Sequence, residues 1–197
     1  DAKDHPDDDN LLPFITPDMN AVFYGSRNAL SVMAGKLGLE NEAHEWKRAA
    51  HDVKKRLIET CYDEFDEFFY DVDSHGNKIK CKSISITNLF CESLLDMDMA
   101  KRIFKRYLNN PNEFDTPYPY PAVSISDPSW KQNLPGNSWG FYSQGLTSLR
   151  SLRWMDKYGF SEQLEKNMKA WISAWCLTDK INFGQELHPI TAQPSTC

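Results

Sequence analysis

The chain has 197 residues, 41% of them hydrophobic and 25% charged, enough for one ordinary domain with a real core. A formal net charge of -6 and no Lys/Arg block of useful length argue against a phosphate-tracking protein, so nucleic acid is not an expected partner. No apolar run approaches the ~18 residues that a membrane helix needs, so a membrane is not an expected partner either.

Residues 1 to 18 are acidic and interrupted by Pro13 and Pro17, which predicts an ordered loop or an extended lead-in and not a helix. From Asn20 to Leu37 a helix is expected, with Val22, Ala29, Met33 and Leu37 on its inner stripe and Gly38 as its stop. Asn41 is placed to cap a second helix that carries Ala43, Trp46, Ala50, Val53 and Leu57 on one face and ends near Tyr62. Its Lys54-Lys55-Arg56 run reads as a solvated side, and His44 and His51 as surface residues. The stretch from Phe68 to Val72 breaks the helical period, and Ser74-His75-Gly76-Asn77 then turns into alternating Lys78 to Lys82, the pattern of a small β-hairpin. Helices resume from Ser85 to Leu95 and again after a cap at Asp96, with Ala100, Ile103, Phe104 and Tyr107 inward.

Residues 109 to 136 form a long proline-rich connection whose Phe114, Tyr118, Tyr120 and Trp130 favour an ordered, functional loop. A helix is expected from about Ser138 to Lys157, with Tyr142, Leu146, Leu149 and Leu152 on a stripe and Gly159 as its stop. The last helix follows Ser161, with Leu164, Met168, Trp171, Ile172 and Trp175. Six helices joined by alternately short and long loops predict antiparallel pairs in an all-α fold.

Several features invite a site and fall short. Asp71 to Gly76 opens like a calcium loop, but His75 stands at a ligand position and Lys82 at the required glutamate. Asp63, Glu64, Asp66 and Glu67 read as a solvated helix end. Cys61, Cys81, Cys91, Cys176 and Cys197 are odd in number and widely spaced, and read as reduced thiols. No metal, no cofactor and a cytoplasmic location are expected. The two ends, Asp1 and Cys197, read as cut.

What remains is borne on loops: Phe114 to Ser124, Asp127 to Trp130, Gly136 to Trp139, then Gln144, and a tail from Phe183 to Thr191. A carbohydrate site needs rings to stack on, planar polar groups for hydroxyls and at least one carboxylate, and this set supplies all three. Flat rings also fill cores, so the same residues suit an ordered proline-rich loop with no substrate.

Five stretches together resemble one known family. These are Asp18-Met19-Asn20-Ala21; Leu37-Gly38-Leu39 with Glu42-Ala43 and Trp46; Tyr62-Asp63-Glu64 with Phe68-Phe69-Tyr70-Asp71; Thr116-Pro117-Tyr118-Pro119 with Asp127-Pro128; and the segment around Pro189. In order and spacing they resemble the catalytic domain of family-63 glycoside hydrolases and their relatives, which include processing α-glucosidase I, bacterial α-glucosidases and mannosylglycerate-hydrolase-like enzymes. The resemblance implies an (α/α)6 toroid, here roughly its second half with a small hairpin insertion, and a partial catalytic domain over residues 1–197. It implies hydrolysis of α-glucosides or α-mannosides with inversion. The expected partners are an oligosaccharide or small glycoside and the remaining half of the same barrel.

The chain departs from the family in three places. The first Trp of Trp-x-Gly-x-x-Trp is Leu134, leaving Trp139; the following Asn corresponds to Gln144; and the base motif Glu-x-x-x-Pro-x-Thr-Gly reads Gln185-Glu186-Leu187-His188-Pro189-Ile190-Thr191-Ala192. Strict spacing puts Gln185 at the base, and a one-residue shift puts Glu186 there. An amide takes no proton from water, so Glu186 is the candidate base, with Tyr118, Tyr120, Trp139, Gln144 and His188 as sugar contacts. The resemblance puts the general acid in a Ser-Gly-x-Asp-Asp/Asn segment upstream, with Asp1 the last remnant of that segment and its second Asp rather than the acid itself, so the isolated chain is expected to be inactive. Two alternatives stay open: a non-catalytic carbohydrate-binding helical toroid, and a trehalase-like or sugar-isomerase enzyme on the same fold.

Overall fold

The computed structural model describes residues 14–130, 140–176 and 185–195. The described residues form two compact units, one running to Lys80 and taking in Glu92–Leu94, the other made of Cys81–Cys91 and the described residues from Leu95 on.

The first unit is a helix pair with two small ribbons. Helix α1 spans Pro17–Lys36 and α2 spans Glu40–Cys61. Pro17 opens α1 because its fixed φ suits the first turn and its missing N–H is not needed there. Gly38, at φ 76, stops it as expected. Leu39, not Asn41, is the N-cap of α2, and no side chain caps it. The expected inner face of α1 is corrected: Pro17, Ala21 and Ala34 are buried, whereas Val22, Met33 and Leu37 are 40%, 59% and 74% exposed. The seam with α2 runs through small groups instead. Ser31 Oγ donates to the Ala43 carbonyl at 2.8 Å, and a Cβ on Gly35 would stand 3.9 Å from Ala43 Cβ. On α2 the expected stripe holds at Ala50 and Leu57, with Cys61 added, while Trp46 is 37% exposed.

Strands β1 (Tyr62–Asp63) and β2 (Phe68–Phe69) pair antiparallel, as do β3 (Asp71–Val72) and β4 (Lys78–Ile79). The second ribbon is the expected hairpin. In its turn the Asp73 carboxylate accepts the N–H groups of His75 (2.9 Å) and Asn77 (2.8 Å), so the calcium-like residues serve as turn chemistry. Asp63 and Asp66 both accept from Lys80 Nζ, at 2.7 and 2.6 Å, and that hydrogen bond holds the Asp63 carboxyl down at about 2. Ile15 and Val72 exchange backbone hydrogen bonds at 2.9 and 3.0 Å and bring the α1 N-terminus beside β3. There, burial first and the Asp18 charge second push the Asp71 carboxyl up to about 6. Burial also lifts the Cys61 thiol to about 11, that of an inert core residue.

In the second unit a 3-10 turn, Ile84–Ile86, runs into α3 (Thr87–Cys91). Asp96 caps α4 (Met97–Ile103) by accepting the Met99 N–H at 2.8 Å, and a π turn, Phe104–Leu108, continues it. Ala100, Ile103, Phe104 and Tyr107 are all buried, as their spacing requires. The core centres on Trp154, fully buried 4.7 Å from the Phe90 ring, with Phe104 and Phe160 stacked beside it at 3.6 Å. The expected helix from Ser138 is corrected over its described part. Strand β5 takes Ser143–Gln144, α5 begins only at Gly145 and runs to Arg150, and a 3-10 turn follows. Leu146, Leu149 and Leu152 are 49%, 58% and 50% exposed, so that stripe is not the buried one. Helix α6 spans Ser161–Cys176 and buries Asn167, Trp171 and Ala174, while Ile172 is 56% exposed.

Candidate active site

The proline-rich loop is ordered by groups outside it together with its own hydroxyls. Pro119 has no N–H, so the dipeptide Tyr118-Pro119 has three polar backbone groups, and all three are engaged. The Tyr118 N–H donates to the Pro189 carbonyl at 3.0 Å. The Tyr118 carbonyl accepts from Ser143 Oγ (2.5 Å) and Thr116 Oγ1 (3.0 Å), and the Pro119 carbonyl from Trp171 Nε1 (2.5 Å) and Ser148 Oγ (2.8 Å). Complete satisfaction of buried backbone is what lets an irregular segment lie inside a fold.

The loop acids are likewise taken. Glu113 accepts from the Ser124 and Ser126 hydroxyls and from Lys82 Nζ. Asp115 accepts from Lys166 Nζ at 2.6 Å and Gln163 Nε2 at 2.8 Å. Asp127 accepts the backbone N–H groups of Lys82 and Ser129, both at 2.8 Å. These three carboxylates hold the loop.

The tail reaches the loop through a third ribbon. Strand β6, Glu186–Leu187, pairs antiparallel with β5, matching Ser143 to Leu187 and Gln144 to Glu186. The Gly145 N–H donates to the Gln185 carbonyl at 2.8 Å, and a Cβ on Gly145 would come 3.2 Å from that oxygen and 3.4 Å from the Trp171 ring. A bare Cα therefore lets the ribbon settle onto α6. Leu187 joins Trp171 and Ala174 in an apolar cluster against which Tyr118, Trp175 and Ala192 pack. Strand alternation sends Glu186 to the opposite face, with Gln144 directly across from it. His188 stands edge-on to Phe141, ring centres 4.9 Å apart, and to Tyr142 at 6.3 Å. Trp130 lies 5.3 Å beyond Phe141.

The expected site residues thus separate. Glu186 (9% exposed) pairs with half-buried Gln144, and half-buried His188 lies two residues on along the tail. Tyr118 is half-buried on the Leu187 face. Tyr120 is 0% exposed and its hydroxyl accepts from Asn167 Nδ2 at 2.9 Å, so its ring offers no surface to a sugar. Burial raises that phenol far above its ordinary range. Gln185 is exposed. Trp139 lies outside the described residues. Sequence reasoning missed Tyr142, placing it on a helix; its signal was the polar and aromatic run Phe141-Tyr142-Ser143-Gln144 directly after Trp139. Among the described residues no cluster of His, Cys, Asp and Glu could hold a metal. Carboxylate, amide, imidazole and ring make up the chemistry of this ribbon and its flank.

The fold is that of the (α/α)6 glycoside hydrolases. A solved structure described as a sialidase superposes with a TM-score of 0.82 at 16% identity, over 91% of this chain and 17% of its own. The GH63 mannosylglycerate hydrolase from Thermus thermophilus, in complex with Tris, gives 0.73 at 16% identity, over 92% and 41%. Neutral trehalase Nth1 from Saccharomyces cerevisiae gives 0.70 at 12%, over 82% and 31%. At these identities the likeness is one of fold. Sequence supplies the family: residues 8–194 match the mannosylglycerate hydrolase MGH1-like glycoside hydrolase domain, and the chain belongs to that family. A curated relative, an uncharacterized protein of Borreliella burgdorferi, is 28% identical over 145 residues. That match covers 74% of this chain and 29% of the relative, so the chain spans less than a third of that protein's length.

Proposed function

We propose that the protein carrying this chain hydrolyses α-glucosides or α-mannosides with inversion, and that Glu186 is the carboxylate that activates water. The observation that supports this is the pairing of Glu186 with Gln144 on the ribbon face turned away from the Trp171 cluster, with His188 and Tyr142 alongside. A carboxylate accepts the proton of the attacking water, an amide offers a donor and an acceptor to vicinal hydroxyls, and a phenol ring presents a flat apolar face. In an inverting enzyme a second carboxyl, protonated, stands ~6.5–9.5 Å from the base and gives its proton to the leaving oxygen. The loop acids Glu113, Asp115 and Asp127 are committed to their own donors, so the acid comes from elsewhere in the polypeptide. The remaining half of the barrel is its proposed source, and no metal or cofactor enters the scheme.

A second reading rests on Gln185. It stands at the strictly spaced base position and is exposed, whereas Glu186 is 9% exposed. A protein with an amide there binds the sugar and leaves the bond intact.

One comparison tests the first reading. The intact protein is expected to release sugar from 4-nitrophenyl α-glucoside or α-mannoside, and the 197-residue chain alone to release none. Turnover by the isolated chain at an ordinary hydrolase rate would contradict the placing of the acid. An intact protein that binds the glycosides, does not cleave them, and gains cleavage on Gln185→Glu would establish the second reading.

A further inference from the structure

His188 is gripped by its own turn. Its Nδ1 accepts the backbone N–H groups of Ile190 at 3.1 Å and Thr191 at 3.2 Å. Its backbone N–H and carbonyl are fixed to the Gln193 carbonyl (2.7 Å) and the Ala192 N–H (3.0 Å). A ring nitrogen that accepts hydrogen bonds carries no proton, so in the neutral imidazole the proton sits on Nε2. Protonating Nδ1 would aim an N–H at two other N–H groups. Burial lowers the imidazole pKa as well, in the same direction. Nδ1 is turned inward to residues 190 and 191, so Nε2 on the far side of the ring points away from the turn. The edge-on contacts with Phe141 and Tyr142, both at 87°, hold the ring plane.

We infer that His188 is a tautomer-locked donor whose Nε2–H binds a hydroxyl oxygen of the sugar beside Glu186, Gln144 and Tyr142. The inference rests on the carbohydrate reading above and assigns His188 a role in recognition, without proton transfer. Both lone-pair sites of an acid–base catalyst are missing: Nδ1 is occupied and Nε2 is protonated. A fixed donor rewards a substrate that offers an acceptor at that place and penalises a deoxy analogue, which leaves the N–H unpaired.

Two substitutions separate recognition from the turn-holding role. Asn in place of His keeps an acceptor where Nδ1 lies, able to take the same two N–H bonds as an Asx turn, and removes the distant donor. Gln does the reverse: its amide N–H reaches towards the Nε2 position and its fit to the turn is lost. In the intact protein His188→Asn is expected to raise KM for the better of 4-nitrophenyl α-glucoside and α-mannoside about tenfold, with melting unchanged. His188→Gln is expected to hold KM within about threefold and to lower melting. An unchanged KM in His188→Asn, with melting lowered only in His188→Gln, would show a turn cap and overturn the inference. Nitrogen-15 NMR of the intact protein at neutral pH is expected to show the Nε2–H tautomer; the Nδ1–H tautomer or an imidazolium would overturn it whatever the protein cleaves. If neither glycoside is cleaved, calorimetric titration with both decides, and equal affinity in wild type and His188→Asn is contrary. A failure of the base assignment shows separately, as Glu186→Gln retaining turnover while His188→Asn still raises KM.

Discussion

Glu186→Gln in the intact protein is expected to lower kcat by about 10²–10⁴-fold with KM little changed, the range for removing a positioned general base. That loss corresponds to ~3–5 kcal/mol of transition-state stabilisation. The substitution keeps the shape of the side chain and swaps a proton acceptor for an amide. Gln144 sits across the ribbon from Glu186, and an amide at 186 has the same volume facing it. Stability is therefore expected to move by no more than ~1.5 kcal/mol, as for other volume-conserving changes. Steady-state kinetics and a denaturant titration on the same preparation measure both effects. Near wild-type turnover in Glu186→Gln, together with loss in Gln185→Ala, would transfer the role to position 185 and imply a water positioned by an amide.

Tyr120→Ala is expected to destabilise the fold by ~3–5 kcal/mol, the cost of emptying a large aromatic site. Tyr120 is among the largest side chains with no exposed surface, and it anchors the loop from below. Its hydroxyl closes a chain that runs from Asn167 through Gln163 to Asp115, with Gln163 Nε2 donating to both of those neighbours. Tyr120→Phe keeps the ring and orphans the Asn167 amide, and ~1–3 kcal/mol is expected from that unpaired buried donor. Urea unfolding of the two variants checks the order. A loss under ~1 kcal/mol in Tyr120→Ala, joined to a large rise in KM, would restore the ring to the sugar site and contradict its burial.

What was legible in the sequence is what local chemistry decides. Gly38 stops α1, and Gly159 sits in the turn before α6, because only glycine takes φ 76 and 78 without strain. Asp96 caps α4, and Asp73 shapes its turn, through bonds to N–H groups two to four residues away. The α2 period is regular enough to declare Ala50 and Leu57 buried. Helix α1 misled because its larger apolar residues are exposed and its seam with α2 runs through Ser31, Gly35 and Ala43. Hydrophobic period finds the greasy face and not the face that a small-residue seam needs. The stretch at Tyr142 to Gln144 misled for another reason. Its partner strand, Glu186–Leu187, lies far along the chain, and a helical reading of Leu146, Leu149 and Leu152 extended backwards over it.

The site shows the same division. Composition picked out the loop and the tail, and the fold does bring Tyr118 against Pro189 and Gln144 against Glu186. It could not say that strand alternation would place Tyr118 and Glu186 on opposite faces of one ribbon. Nor could it tell Tyr118, half-buried, from Tyr120, which the Asn167 bond and full burial make a core residue.

The stereochemical course of hydrolysis tests the central claim most directly. Proton NMR of the anomeric region, recorded as the intact protein begins to cleave an α-glycoside, distinguishes the two anomers before mutarotation mixes them. Water activated by Glu186 on the face opposite the leaving group must give the β-anomer first, and the account predicts that signal. The α-anomer appearing first would mean a double displacement through a covalent glycosyl-enzyme, and would contradict Glu186 as the base of an inverting hydrolase.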